Sequence, residues 1–284
     1  MPHVVEAITP AAAAAQPDAS RTPVVMLHAS LSCKSQWDLL AQELAPRFEP
    51  LALDLVGYGG DALPPPAPSY TIDDEVRHVE ARVKALIGSR RYHLVGHSYG
   101  GLVAMRLAQR YPARVASLAV YEPVAFRLLP DDDPGHASVR EIAERVQRHI
   151  GTGRNLDAAQ AFVDYWNGGG YFASLPPPTR HAIARRAAKV VLDFQASQRW
   201  PAHASELRAI AAPTLLLVGN EGQAVTQRVA ARIATAIGDC RLRACDAGHL
   251  GPIASPAIVN PSIEAFIDEC ERDAHRAAPA VATA

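Results

Sequence analysis

A chain of 284 residues with a formal net charge of −1 has no field of one sign to draw in nucleic acid or an anionic membrane surface. Its 49% hydrophobic and 20% charged content suits a well-filled core, and no apolar run approaches the roughly 18 residues of a membrane span. The expected partner is a small, largely neutral molecule, with neither nucleic acid nor membrane, and the pattern says nothing of oligomeric state. The N-terminus lacks the basic start of a signal peptide, so the expected compartment is the cytoplasm. Cys33, Cys240, Cys245 and Cys270 form no CxxC pair and have no histidine at ligand spacing. Free thiols are expected, with no metal and no cofactor.

Residues 9–23 lack hydrophobic period and read as a loose lead-in. After them, short apolar runs alternate with helical patterns. The runs are Val24–Leu27, Leu51–Leu53, Tyr92–Val95, Val115–Tyr121, Thr214–Val218 and Arg241–Ala244. Their length and β-branched content suit strands covered on both faces. Ile72, Val76, Val79, Val83 and Ile87 make one helix face; Val225, Val229, Ile233 and Ile237 make another, as do Val259, Ile263 and Phe266. This alternation predicts an α/β fold with a mostly parallel central sheet flanked by helices.

The rhythm breaks between about Val124 and Ala211, where helical faces such as Val139, Ile142, Val146 and Ile150 recur without a strand. Proline-rich breaks at Pro176–Pro178 and Pro201 divide the stretch. An insertion of this kind belongs over the carboxyl ends of the strands, where parallel sheets bind ligands. The expected organisation is a core in two parts (1–123 and 212–273), a helical cap over 124–211, inserted after the strand ending near Tyr121, and a flexible tail over 274–284. Asp131-Asp132-Asp133, followed by Pro134-Gly135, is expected as a solvated turn and not a metal site.

The strongest local signal is Gly96-His97-Ser98-Tyr99-Gly100, between the strand pattern Tyr92–Val95 and the helix pattern from Leu102 onward. A Gly-x-Ser-x-Gly sequence needs this context, because its serine must sit on a tight strand-to-helix turn. Serine requires a base at hydrogen-bond reach. Of eleven histidines, His249 lies in a glycine-flanked loop directly after the last strand pattern, at the same sheet edge. His97, beside the serine, is expected to face elsewhere and to serve in packing or hydrogen bonding. Backbone N–H donors are needed for a tetrahedral oxyanion, and one is expected from Tyr99.

The segment around Ser98 resembles the nucleophile elbow of the α/β-hydrolase superfamily, in a serine-nucleophile, esterase-like branch with a helical cap. Further matches cover about residues 24 to 270. Leu27-His28-Ala29-Ser30 with Trp37 resembles that family's His-Gly loop, Asp54-Leu55-Val56-Gly57-Tyr58-Gly59 its Asp-x-x-Gly-x-Gly turn, and Ala247-Gly248-His249-Leu250-Gly251-Pro252 its catalytic-histidine loop. The resemblance implies a structural role for His28 and a second oxyanion donor at Ser30. Ala29 replaces the usual glycine and is the alternative donor.

The chain departs from the family at the acid. The usual aspartate lies three residues after the glycine that ends the strand Thr214–Val218, and position 222 is Gly222. Glu221 is one residue early. Glu122, after the strand ending at Tyr121, stands where the haloalkane dehalogenase branch places a glutamate acid, and is the favoured partner for His249. Serine at 98 argues against dehalogenation and epoxide hydrolysis, which use an aspartate nucleophile in this fold.

The leading expectation is a carboxylic-ester hydrolase acting through an acyl-enzyme on a small apolar or aryl ester, with Tyr165 and Trp166 of the cap as substrate contacts. A cofactor-free perhydrolase, lactonase, thioesterase or carbon–carbon bond hydrolase would keep the same triad. From another class, a binding module could retain the frame without turnover.

Overall fold

Each of the six apolar runs forms a strand: β1 (Pro23–Leu27), β2 (Glu49–Leu53), β3 (Tyr92–His97), β4 (Val115–Tyr121), β5 (Thr214–Gly219) and β6 (Cys240–Cys245). The computed structural model describes residues 20–60, 63, 70–200 and 204–277. The expected lead-in up to residue 19, Pro201 and the last residues of the expected tail, 278–284, lie outside the described residues. The strands pair in parallel in the order β2-β1-β3-β4-β5-β6. The order reverses at β1, which lies between β2 and β3. A crevice therefore opens at the carboxyl ends of β1 and β3, where an open parallel sheet takes its ligand.

Successive side chains on a strand point to opposite faces, and here they enter two separate cores. Val25, Leu94, Leu118, Val120 and Leu216 pack with Val76 and Val83 of α2 (Ile72–Ile87), Leu102 and Met105 of α3 (Tyr99–Arg110) and Val229 of α9 (Ala224–Ala236). Val24, Met26, Val95, Ala119 and Leu215 pack with Leu40 of α1 (Asp38–Leu44) and Ile263 and Phe266 of α11 (Pro256–Ala277). The faces read from the 3.6-residue period are the faces that are buried. The edge strand β6 carries Arg241 and Arg243, charges that discourage further strand pairing.

Between β4 and β5 run α4 (Pro134–Gly151), α5 (Asn155–Asn167), α6 (Tyr171–Ser174), α7 (Pro177–Ala184) and α8 (Ala187–Arg199), with no strand among the described residues. Asp133 ends the acidic run as the N-cap of α4. It accepts from the Gly135 N–H at 2.7 Å and pairs with Arg228 Nε at 2.9 Å. The short α10 (Gly251–Ala254) follows the loop that bears His249.

One boundary is corrected. The tail was expected to begin after Asp273, but α11 continues to Ala277, held by i,i+3 and i,i+4 pairs from Arg276 to Asp273 and from His275 to Glu271. Among the described residues no helix is long and apolar enough to cross a membrane.

Candidate active site

Three chain reversals at the carboxyl edge of the sheet bring Ser98, His249 and Glu122 together. Ser98 follows β3 in a left-handed conformation, φ 55 and ψ −116, that L-residues rarely adopt. Gly96 and Gly100, two residues to either side, permit the sharp turn because they lack Cβ atoms. A Cβ on Gly96 would lie 2.6 Å from the Gly100 carbonyl oxygen, and one on Gly100 would lie 2.4 Å from the His28 carbonyl oxygen. Such strain costs on the order of 1–3 kcal/mol and persists only where the surroundings impose it. It lifts the hydroxyl clear of the strand and sets it at the N-terminus of α3, whose dipole favours negative charge.

His249 Nδ1–H donates to Glu122 Oε2 at 2.6 Å, because a carboxylate can only accept. That bond leaves Nε2 as an acceptor, and the Ser98 hydroxyl lies 3.0 Å from it. All three side chains are buried. The other oxygen of Glu122, Oε1, accepts from the Gly219 N–H at 2.9 Å, so both ends of the carboxylate are held. Glu122 is itself in the left-handed region, φ 42. Glu221 is exposed, and its backbone N–H bonds to the Ala247 carbonyl.

Gly222, where the family's usual acid would stand, has a physical reason to be glycine. A Cβ there would lie 2.7 Å from Glu122 Oε1. The space beside His249 is already filled by a carboxylate arriving from β4, and any side chain at 222 would collide with it.

The second oxyanion donor was open between Ala29 and Ser30. The Ala29 N–H donates to Gln36 Oε1 at 3.1 Å. Gln36 Nε2 in turn donates to His97 Nδ1 at 3.1 Å, and His97 Nε2–H donates to the His249 carbonyl at 2.8 Å. This relay spends the Ala29 N–H and leaves Ser30 as the stronger candidate beside Tyr99. It also gives His97 a hydrogen-bonding role, tying the β1 loop to the His249 loop. Burial, with the nearby His249, pushes the His97 pKa well below its usual value and keeps the ring neutral. Ala29 needs no positive φ; the left-handed residue of this loop is Leu31, φ 63. His28 is neutral for a similar reason: its Nδ1–H donates to Ala29 O at 2.7 Å while Nε2 accepts from the Leu55 N–H at 3.0 Å.

The two aromatic residues expected as substrate contacts part company. Trp166 lies flat against the His249 ring, centroids 4.2 Å apart and planes inclined by 22°, and is backed by Phe126. It lines both cavities at Ser98. Tyr165 lines neither, which corrects that expectation. Adjacent residues on a helix do not share a face, and the Tyr165 hydroxyl turns to α4 and bonds Ser138 Oγ at 2.8 Å.

Ser98 stands between these cavities. The smaller, of about 20 Å³, is lined by Phe126, Val190, Phe194 and Asp193. The larger, of about 230 Å³, is lined by His249, Leu250, Tyr171, Leu175 and Ile183. Asp193 was not singled out in the sequence. The available signal was the pair Lys189 and Asp193, four residues apart on α8 among the apolar residues Val190, Leu192 and Phe194.

The model of the alpha/beta hydrolase family matches residues 24–261. The chain belongs to that family. The (lyso)-N-acylphosphatidylethanolamine lipase of Mus musculus is 33% identical over 114 residues, 39% of this chain and 33% of that protein. The haloalkane dehalogenase of Agrobacterium fabrum is 34% identical over 105 residues, 37% of this chain and 34% of that protein. The chain thus spans about a third of the length of those relatives. A thermophilic esterase from Thermogutta terrifontis superposes with a TM-score of 0.69 at 22% identity, over 88% of this chain and 90% of that one, a likeness of fold alone. A lipase and a dehalogenase on one frame leave the reaction to be argued from the site.

Proposed function

We propose that this hydrolase cleaves carboxylic esters through an acyl-enzyme on Ser98, with residues 124–211 as a cap. The reading rests on one observation, the unbroken chain from Ser98 Oγ to His249 Nε2 at 3.0 Å and from His249 Nδ1 to Glu122 Oε2 at 2.6 Å. As Ser98 Oγ attacks the carbonyl carbon, its proton passes to His249 Nε2. Glu122 keeps the imidazole in the required tautomer and offsets the charge it gains. The N–H groups of Tyr99 and Ser30 receive the oxyanion. Collapse breaks the bond to the alcohol oxygen, which takes the proton from His249. A water then repeats the sequence on the acyl group, giving the carboxylic acid and restoring Ser98.

The two cavities orient the substrate. The leaving oxygen must reach His249 Nε2, so the alcohol or phenol occupies the larger cavity of about 230 Å³, where His249 is a wall. The acyl group takes the smaller one. At about 20 Å³ it admits little more than a water-sized group, for which roughly 10–15 Å³ suffices. The favoured substrates are acetyl or similarly short esters of apolar alcohols or phenols. A series of p-nitrophenyl esters tests this, with kcat/KM expected to be highest at acetate and to fall about tenfold or more by hexanoate. Absence of turnover on every ester, together with no labelling of Ser98 by a phosphonate, would leave a ligand-binding module instead.

A further inference from the structure

Against the oxyanion loop lies a buried cluster of charge that the Ser98–His249–Glu122 chain does not use. Lys189 of α8 has no exposed surface. Its Nζ donates to Glu75 Oε1 of α2 at 2.6 Å and to Asp193 Oδ1 one turn further along α8. The ammonium lies 5.0–5.1 Å from the ring centroids of Tyr58, Tyr70 and Tyr99, within cation–π range of all three. Burial opposes its charge, but the Asp193 and Glu75 carboxylates outweigh that and hold its pKa above the usual lysine value. Glu75 also accepts from the Tyr70 hydroxyl at 2.5 Å and the Val56 N–H at 3.3 Å.

Asp193 is the member that faces the site. Its Oδ2 accepts from the Ser30 hydroxyl at 2.6 Å and from the Tyr58 hydroxyl at 2.5 Å. Both residues expected to supply oxyanion N–H groups therefore touch the cluster, Ser30 through its hydroxyl and Tyr99 through its ring. Asp193 and Ser30 also line the same small cavity as Ser98. A buried ion pair is a poor source of stability, because desolvation offsets its attraction. What a fully satisfied network does provide is a single geometry. The β1 loop has need of one, since Leu31, next to Ser30, is held at φ 63, a conformation disfavoured for a branched side chain.

We propose that Asp193, held by Lys189 and Glu75, is a positioning residue for the oxyanion hole: by gripping the Ser30 hydroxyl it fixes the Ser30 N–H, so that the helices over the pocket also set the geometry of the reaction. This rests on the ester-hydrolase reading above.

Ser30→Ala removes the hydroxyl and keeps the backbone N–H, and Ser30→Thr restores a hydroxyl. With p-nitrophenyl acetate, Ser30→Ala is expected to lower kcat by about ten- to a hundredfold while KM stays within about twofold, and Ser30→Thr to recover most of the loss. Asp193→Asn should lose a similar factor, and the double variant should lose no more than about threefold beyond either single change, since both cut one tether. A matched thionoester supplies the readout that mere loosening would not move. Its sulfur is a weak acceptor, so the wild-type preference for the oxygen ester should shrink in Ser30→Ala. Wild-type kcat in Ser30→Ala, or a loss with an unchanged oxygen-to-sulfur ratio, overturns the tether while leaving the ester reading intact. A wild-type protein that turns over no ester and takes no phosphonate label on Ser98 removes the ester reading, and the oxyanion role of Asp193 with it.

Discussion

Gly222→Ala is the smallest change that tests where the acid comes from. The new Cβ would stand 2.7 Å from Glu122 Oε1 and 3.4 Å from both Glu122 Oε2 and Thr226 Oγ1. Attractive contact between such atoms begins near about 3.5 Å, so the nearer oxygen must retreat by several tenths of an ångström. It has nowhere easy to go. Oε1 is bonded to the Gly219 N–H at 2.9 Å and Oε2 to His249 Nδ1 at 2.6 Å, so any retreat weakens one bond or drags the imidazole away from Ser98. Misplacement of about 1 Å in a reacting array costs on the order of 10² in rate, and a smaller shift correspondingly less. The expected outcome is a fall in kcat of about ten- to a hundredfold, or about 1.4–2.7 kcal/mol in the barrier. Glu122→Gln should be worse, by about 10³ to 10⁴, because the amide no longer enforces the tautomer or offsets the imidazolium. Glu221→Gln should stay within about threefold. Steady-state turnover of p-nitrophenyl acetate, with active-site titration and a thermal melt for each variant, measures all three. Full turnover in Gly222→Ala, or a loss in Glu221→Gln equal to that in Glu122→Gln, would refute the assignment of Glu122.

Two further outcomes follow from contacts around the site. Burial drives the pKa of His28 from 6.5 down to about 4. A histidine whose folded pKa is depressed contributes stability that is whole above about 6.5 and is lost as pH falls through that value toward 4. The loss is on the order of 3 kcal/mol once both states are protonated. Urea midpoints should therefore drop between pH 7.5 and 5, and less steeply in His28→Gln; equal slopes would remove His28 as a cause. The neighbours Trp166 and Tyr165 should separate cleanly. Trp166→Ala takes away the face packed on His249 and should lower kcat/KM by about tenfold or more, whereas Tyr165→Phe should cost about 1 kcal/mol of stability and leave turnover within about threefold. The opposite ranking in an ester assay would show that the pocket opens on the other face of α5.

What the sequence determined by itself was local. Strands β1 to β5 are short, largely apolar runs, the edge strand β6 is mixed with Arg241 and Arg243, and the helices packed on the sheet repeat every 3.6 residues, so these patterns are written in neighbours along the chain. The elbow was legible for the same reason, since Gly96 and Gly100 flank Ser98 within one turn and their need to lack a Cβ is a property of that turn. Tertiary structure decided every question in which the partners lie far apart. Glu122 and Glu221 are both carboxylates at the same sheet edge, and only the course of the backbone brings one of them to His249 and places Gly222 against it. Ala29 and Ser30 are adjacent in the chain, and it is Gln36, seven residues on, that engages the Ala29 N–H. Trp166 and Tyr165 are adjacent aromatics until α5 docks and turns one toward the imidazole and the other toward Ser138. Lys189 and Asp193 look like a surface pair at i and i+4, and become a buried cluster only because Glu75, 114 residues earlier, and three tyrosine rings close around them. Period and turn chemistry act over a few residues, whereas the choice between two equal side chains depends on which distant atoms arrive beside them.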